Sequence, residues 1–148
     1  MPEHKETKYL PYPPAALFDL VADIEAYPEF LPWCQACRIR SQTGDMIEAE
    51  MVVGYKILRE RFHCSVKLDR ENRLIDVDYI SGPLKYLKNR WHFRAVKKAE
   101  TSGCEIEFYI DYAFQSGLLQ TIMDGFFDFA FKRMVSSFEQ RAKEKIPS

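Results

Sequence analysis

Glu105-Ile106-Glu107-Phe108-Tyr109-Ile110-Asp111-Tyr112 places Glu105, Glu107 and Asp111 on one parity and Phe108, Ile110 and Tyr112 on the other. Alternation with period two is the signature of a strand with one buried and one solvated face. Outward from this stretch the same texture runs from Cys37 to Phe114. One parity collects Met51, Val53 and Tyr55, then Phe62, Cys64 and Val66, then Ile75, Val77 and Tyr79, then Trp91, Phe93 and Ala95. The other carries Arg59, Arg61 and His63, then Asp76 and Asp78, then Lys88, Arg90, His92 and Arg94. Thr43-Gly44-Asp45, Asp69-Arg70-Glu71-Asn72, Ser81-Gly82-Pro83 and Thr101-Ser102-Gly103 supply the breaks. An antiparallel meander with one apolar face follows.

Helical segments flank the meander. Pro11, Pro13 and Pro14 lead into Ala15–Ile24, whose apolar spacing is helical and whose prolines sit where a first turn tolerates them. A short strand over Thr7–Leu10 precedes it. Tyr27-Pro28-Glu29-Phe30-Leu31-Pro32-Trp33 has two prolines in five residues, which limits it to one helical turn and makes a rigid aromatic elbow. From Ser116 to Lys145 the chain predicts one long helix. Its apolar residues spread over roughly 200°, wider than the ~100° that packing on one sheet requires.

The chain has 148 residues, with 21 Lys plus Arg against 22 Asp plus Glu, a formal charge of -1. That length fits a single domain over 1–148, and the charge balance gives no general attraction to nucleic acid, so DNA is not an expected partner. Aromatic residues make up 14% of the chain, enough to crowd a core or line a cavity. The polar, acidic N-terminus lacks the pattern of a signal peptide, and charges interrupt every apolar run. A cytoplasmic protein with free thiols is expected.

Several constellations need weighing. Cys34-Gln35-Ala36-Cys37 has the spacing of a redox pair or half a zinc site. However, the chain continues straight into a strand, where residues three apart point to opposite faces, and a second ligand pair is lacking. Structural cysteines are the expectation, with no metal. Glu60 falls on the apolar parity, where a buried carboxylate could serve as an acid or base, while pairing with Arg59 or Arg61 is the simpler role. His63 and His92 lie on the solvated parity without a nucleophile at a diagnostic spacing. Lys85 to Lys98 carries six basic residues and no acid. The acids on the neighbouring strands predict an acid–base–acid ladder rather than a nucleic-acid surface.

Three ordered motifs carry a resemblance. Tyr27-Pro28-Glu29-Phe30-Leu31-Pro32-Trp33-Cys34, Ser81-Gly82-Pro83-Leu84-Lys85-Tyr86-Leu87-Lys88-Asn89-Arg90-Trp91-His92-Phe93 and Phe114-Gln115-Ser116-Gly117-Leu118-Leu119 resemble the coenzyme Q-binding branch of the START and polyketide-cyclase-like superfamily. That branch includes mitochondrial ubiquinone chaperones and bacterial ribosome-association toxins. The resemblance covers about Lys8 to Arg141. It implies an α+β helix-grip fold, with about seven curved antiparallel strands around the C-terminal helix and two short helices after the first strand. It also implies a non-enzymatic ubiquinone carrier or chaperone supporting respiration, with ubiquinone or a similar isoprenoid lipid as ligand, no other cofactor and no catalytic residue.

On that basis the expected ligand-binding residues are Phe30 and Trp33 at the mouth, Tyr55, Phe62, Tyr79, Trp91, Phe93 and Phe108 on the sheet, and Met123, Phe126 and Phe127 on the helix. Tyr55, Tyr79 or Trp91 would donate a hydrogen bond to a quinone carbonyl. A pocket of roughly 300–1,000 Å³ would hold the headgroup and a few isoprene units. A long tail would have to protrude or stay in the bilayer, so transient contact with the inner-membrane surface is expected. The toxin relatives imply an alternative, a regulator of the large ribosomal subunit acting through Lys85, Lys88, Arg90 and Arg94. A small cyclase or hydrolase using Glu60 or His63 is the remaining class.

Overall fold

The computed structural model describes residues 3–55, 58–98 and 101–146; the side chains of Tyr55, Leu58, Lys98, Thr101, Leu119, Ile122, Met123, Phe127 and Phe131 lie outside the described residues. The chain runs through β1 (Glu3–Leu10), α1 (Pro14–Ala22), a 3-10 turn (Ile24–Glu29), β2 (Cys34–Thr43), β3 (Met46–Tyr55), β4 (Leu58–Asp69), β5 (Leu74–Ser81), β6 (Leu84–Lys98), β7 (Thr101–Phe114) and α2 (Gly117–Lys145). The seven strands form one antiparallel sheet in the order β1-β7-β6-β5-β4-β3-β2. The first two strands therefore lie at opposite edges, and α1 with the elbow carries the chain across. This is the expected α+β architecture, a curved sheet around a C-terminal helix.

Local chemistry accounts for the elements. Pro14 opens α1, where its missing N–H would have no intrahelical partner. Gly44 turns β2 into β3 with a φ of 59°, a conformation that glycine adopts without a Cβ clash. Between β4 and β5, the Asp69 carboxylate accepts hydrogen bonds from Asn72 N (3.1 Å) and Nδ2 (3.0 Å). These bonds hold its pKa below the usual carboxylate value and tie the turn.

The parity reading holds for most of the sheet. Phe62, Val66, Ile75, Trp91, Phe93, Phe108, Ile110 and Tyr112 are buried, while Ala95 is exposed. The outer face is the expected charge ladder. Arg90 is bidentate to Asp76 (2.7 and 3.2 Å), Arg94 pairs with Glu105 and Glu107, and Lys88 is 3.6 Å from Asp78. Helix α2 buries Phe126, Ala130, Phe138 and Ala142, a row at multiples of four residues, together with Val135. On the same helix Phe129 remains 40% exposed, although it meets Trp33 edge-on and carries the Arg133 guanidinium over its ring. No helix among the described residues is long and apolar enough to cross a membrane.

Two local expectations are corrected. Thr101-Ser102-Gly103 is the start of β7 rather than a turn, because the β6–β7 hairpin is longer than the break suggests. Gly103 is needed there by close approach, since a Cβ would sit 2.6 Å from the Leu10 carbonyl oxygen. The sulfurs of Cys34 and Cys37 do not point to opposite faces. The β2–β3 register shifts between Cys34 and Ala36, and this irregularity turns both cysteines into the core, 3% and 7% exposed.

Candidate functional site: an apolar cavity between sheet and helix

The inward faces of β2 to β7 curve over α2 and leave a cavity of about 150 Å³. Trp33 and Cys37 come from the elbow and β2; Ala49, Met51 and Val53 from β3; Phe62, Cys64 and Val66 from β4. Ile75 and Val77 of β5, Leu87, Asn89 and Trp91 of β6, and Phe108 and Ile110 of β7 complete the sheet wall. Ile24, Tyr27 and Leu31 close the elbow side, and Phe126, Ala130, Met134 and Phe138 form the helix wall. This volume is the size that takes one benzene-like ring, well below the headgroup plus isoprene units expected from the sequence. The reason is the aromatic packing: Trp91 is edge-on to Phe108 at 4.7 Å and to Phe138 at 5.1 Å, so rings fill much of the arch.

Five of the expected ligand-contacting residues, Trp33, Phe62, Trp91, Phe108 and Phe126, are brought together on this wall. Three are not. Phe30 packs edge-on against Tyr27 and Phe138 under the Arg141 guanidinium, so it pins the elbow to α2 and does not open the cavity. The Tyr79 hydroxyl accepts the Leu84 N–H at 2.9 Å and lies against Gly82, bracing the β5–β6 turn. Phe93 stacks behind Trp91 and meets Phe18 of α1, one layer away from the space. The side chains of Tyr55, Met123 and Phe127 fall outside the described residues.

The polar groups on the wall are few. The Tyr27 hydroxyl donates to the Val21 carbonyl, and burial holds its pKa well above the ordinary phenol value. The Cys37 thiol hydrogen-bonds to the Cys34 sulfur, which lowers the Cys34 pKa and, with burial, raises that of Cys37. Burial pushes Cys64 up to about 12. Neutral thiols are poor nucleophiles, so those on the wall act as small apolar groups with weak donors. Asn89 contributes the one side-chain amide, which the sequence reading missed because its neighbours are charged. Its parity with Trp91 was the available signal.

The residues considered for acid–base chemistry are elsewhere. Glu60, opposite Val53, is half-buried and does not line the cavity. His63 Nε2 sits 2.6 Å from Glu48 Oε1 on the outer face, an ion-pair distance without hydrogen-bond alignment, and His92 pairs with Glu107.

This architecture recurs in known proteins. Residues 10–139 match the family model described as polyketide cyclase/dehydrase and lipid transport. The chain belongs to this family. A Rickettsia prowazekii relative named ribosome association toxin RatA is 41% identical over 145 residues, covering 96% of this chain and 97% of that protein. A Xenopus laevis relative named coenzyme Q-binding protein COQ10 homolog B, mitochondrial, is 27% identical over 95% of this chain and 57% of that protein. The solution structure of an 18 kDa Caulobacter crescentus protein is 38% identical, covers 97% of both chains and superposes with a TM-score of 0.76. The polyketide cyclase/dehydrase and lipid transport family is thus shown for this chain. The relatives named here are called a toxin and a binding protein, not enzymes.

Proposed function

We propose that this chain is a non-enzymatic carrier or chaperone for ubiquinone, taking the quinone ring into the cavity and supporting respiratory electron transport. The observation that carries the reading is the cavity itself: space for one ring, walled by Trp33, Phe62, Trp91, Phe108 and Phe126, with Asn89 as its amide. The coenzyme Q-binding relative supports the choice of ligand. The acid–base candidates Glu60 and His63 stand off the wall, and a carrier needs no reaction there. On this reading only the ring is enclosed, the isoprenoid tail passes out of the protein, and the chain works at the cytoplasmic surface of the inner membrane.

The test is purification from a quinone-producing host without detergent, solvent extraction and mass spectrometry against a control of similar size. Co-purifying ubiquinone near stoichiometric amounts is the expected result. An empty extract, repeated after incubation with short-tailed quinone, overturns the carrier reading.

Ribosome association is the second reading, favoured by the full-length similarity to a protein of that name. The surface gives it less support. Lys88, Arg90 and Arg94 are paired with acids, and among the described residues of this segment Lys85 and Lys97 are the basic side chains outside an ion pair. Co-sedimentation with large ribosomal subunits, lost in Lys85→Glu with Lys97→Glu, is the outcome this reading requires.

A further inference from the structure

Asn89 is out of place by ordinary strand chemistry. Asparagine is depleted in strands, yet this one occupies the interior of β6, level with Val77 on β5 and Ile110 on β7, and lines an otherwise apolar cavity. A valine would pack there without leaving polar atoms to satisfy. One of the two Nδ2 hydrogens is accounted for: it is donated to the Tyr109 carbonyl oxygen at 2.9 Å. That bond fixes which end of the amide is nitrogen and which is oxygen. Among the described residues, no donor is in hydrogen-bond contact with Oδ1.

The other polar groups on this wall differ in kind. The Tyr27 hydroxyl is spent on Val21, the Cys37 and Cys64 thiols are weak donors and weaker acceptors, and the Trp33 and Trp91 indoles can donate but not accept. The strong acceptor at this wall is therefore Asn89 Oδ1. A strong acceptor beside apolar rings fits a ring that bears a hydroxyl.

Resting on the ring-binding reading above, we infer that Asn89 is the specificity-determining residue of the cavity and selects hydroxyl-bearing aromatic rings, phenols and hydroquinones, over rings that present only acceptors or none. The ligand hydroxyl donates to Oδ1 while Tyr109 holds the amide in register. For a quinone carrier this means that the reduced form is held more tightly than the oxidised form.

Phenol and toluene test this, because they differ by a hydroxyl for a methyl and each matches a one-ring cavity. Affinities are read by calorimetry or tryptophan fluorescence for the wild type and Asn89→Leu, with Asn89→Ala as the second variant and a thermal melt to confirm folding. The expected result is that the preference for phenol over toluene falls about tenfold in both variants, the effect of one hydrogen bond. Both rings binding with an unchanged preference overturns the role of Asn89 and leaves the cavity reading intact. Neither ring binding the wild type overturns both. A second measurement uses wild-type protein alone: a tenfold preference for the reduced form raises the midpoint potential of bound decyl-ubiquinone by about 30 mV. An unchanged or lowered midpoint overturns the inference.

Discussion

Filling the cavity should make the protein more stable and less able to bind. Surrounding side chains that cannot collapse onto an empty space lose roughly 24 cal/mol per Å³, so a 150 Å³ cavity leaves about 3.6 kcal/mol unrealised. Ala130 lies on the helix wall, is 1% exposed and occupies a helical position where leucine is well tolerated. If the leucine side chain takes up half of the space, Ala130→Leu recovers about 2 kcal/mol. With a urea slope of about 2 kcal/mol per M, the unfolding midpoint rises by about 1 M. The melting temperature of a chain this size rises by about 4–8 °C. Retention of ubiquinone in the detergent-free preparation should fall at least tenfold. Destabilisation by about 1–3 kcal/mol, the usual cost of overpacking, would refute the space itself. Stabilisation with retention unchanged would show that the ligand binds somewhere else.

Four other outcomes follow from particular contacts. Phe138 is fully buried and meets Tyr27, Phe30 and Trp91 edge-on at 5.3, 5.0 and 5.1 Å, so Phe138→Ala should cost about 3–5 kcal/mol in urea unfolding; Phe129→Ala, on the exposed side of the same helix, should cost about 1 kcal/mol or less. Burial raises Cys64 from 9.0 to about 12 and Cys104 from 9.0 to about 11. The folded state keeps these protons longer than the unfolded chain. Their stabilisation is therefore complete below about pH 9 and lost as pH rises to 12, with a shallower loss in Cys64→Ala. A stability curve flat from pH 9 to 12 contradicts this. Gly103→Ala should cost more than about 1 kcal/mol because its Cβ meets backbone at 2.6 Å, while Gly117→Ala, with nothing within 4 Å, should be neutral or gain about 0.5 kcal/mol in thermal melts. By hydrogen exchange, amides over 120–124 should open faster than those over 134–142, where Val135, Phe138 and Ala142 are buried; uniform protection along the helix contradicts that.

Much of the fold was legible because β4 to β7 each keep one parity apolar and the other charged, so Phe62, Ile75, Trp91 and Phe108 could be assigned to one face without knowing strand order. The charge ladder was legible for the same reason. What was not legible depends on geometry between strands. The irregularity at Gln35 has no residue signature, yet it reverses the parity of Cys34 relative to Cys37. It leaves the Gln35 side chain so close to Gly54 that any Cβ there would collide with it. Phe30, Tyr79 and Phe93 show the limit for the site. Composition marks them as large and apolar, but the elbow, the β5–β6 turn and α1 each claim one of these rings before the cavity does. The volume was also beyond sequence reading, because it depends on how far the Trp91, Phe108 and Phe138 rings fill the arch.

A one-ring cavity and a long lipid tail can be reconciled only if the tail leaves at a defined end of the helix. The elbow end is shut. Arg141 reaches Glu29 at 2.7 Å across the Phe30 ring, Phe138 is wedged between Tyr27 and Trp91, and Glu139 is 2.6 Å from Lys8. The opposite end is held differently. There the Gln115 backbone N–H donates to the Pro83 carbonyl, its Nε2 donates to the Leu84 carbonyl, and Gln120 Oε1 accepts the Phe114 N–H, so the tie is polar and part-buried. Leu118 is 74% exposed and Ile80 48% exposed on the two segments so joined. Large apolar side chains left in water beside a junction held by a few polar bonds, rather than by packed rings, suit contact with an apolar surface. Under the carrier reading, the ring enters past the first turns of α2, the clamped C-terminal half keeps the sheet closed around it, and the tail remains outside with Leu118 and Ile80.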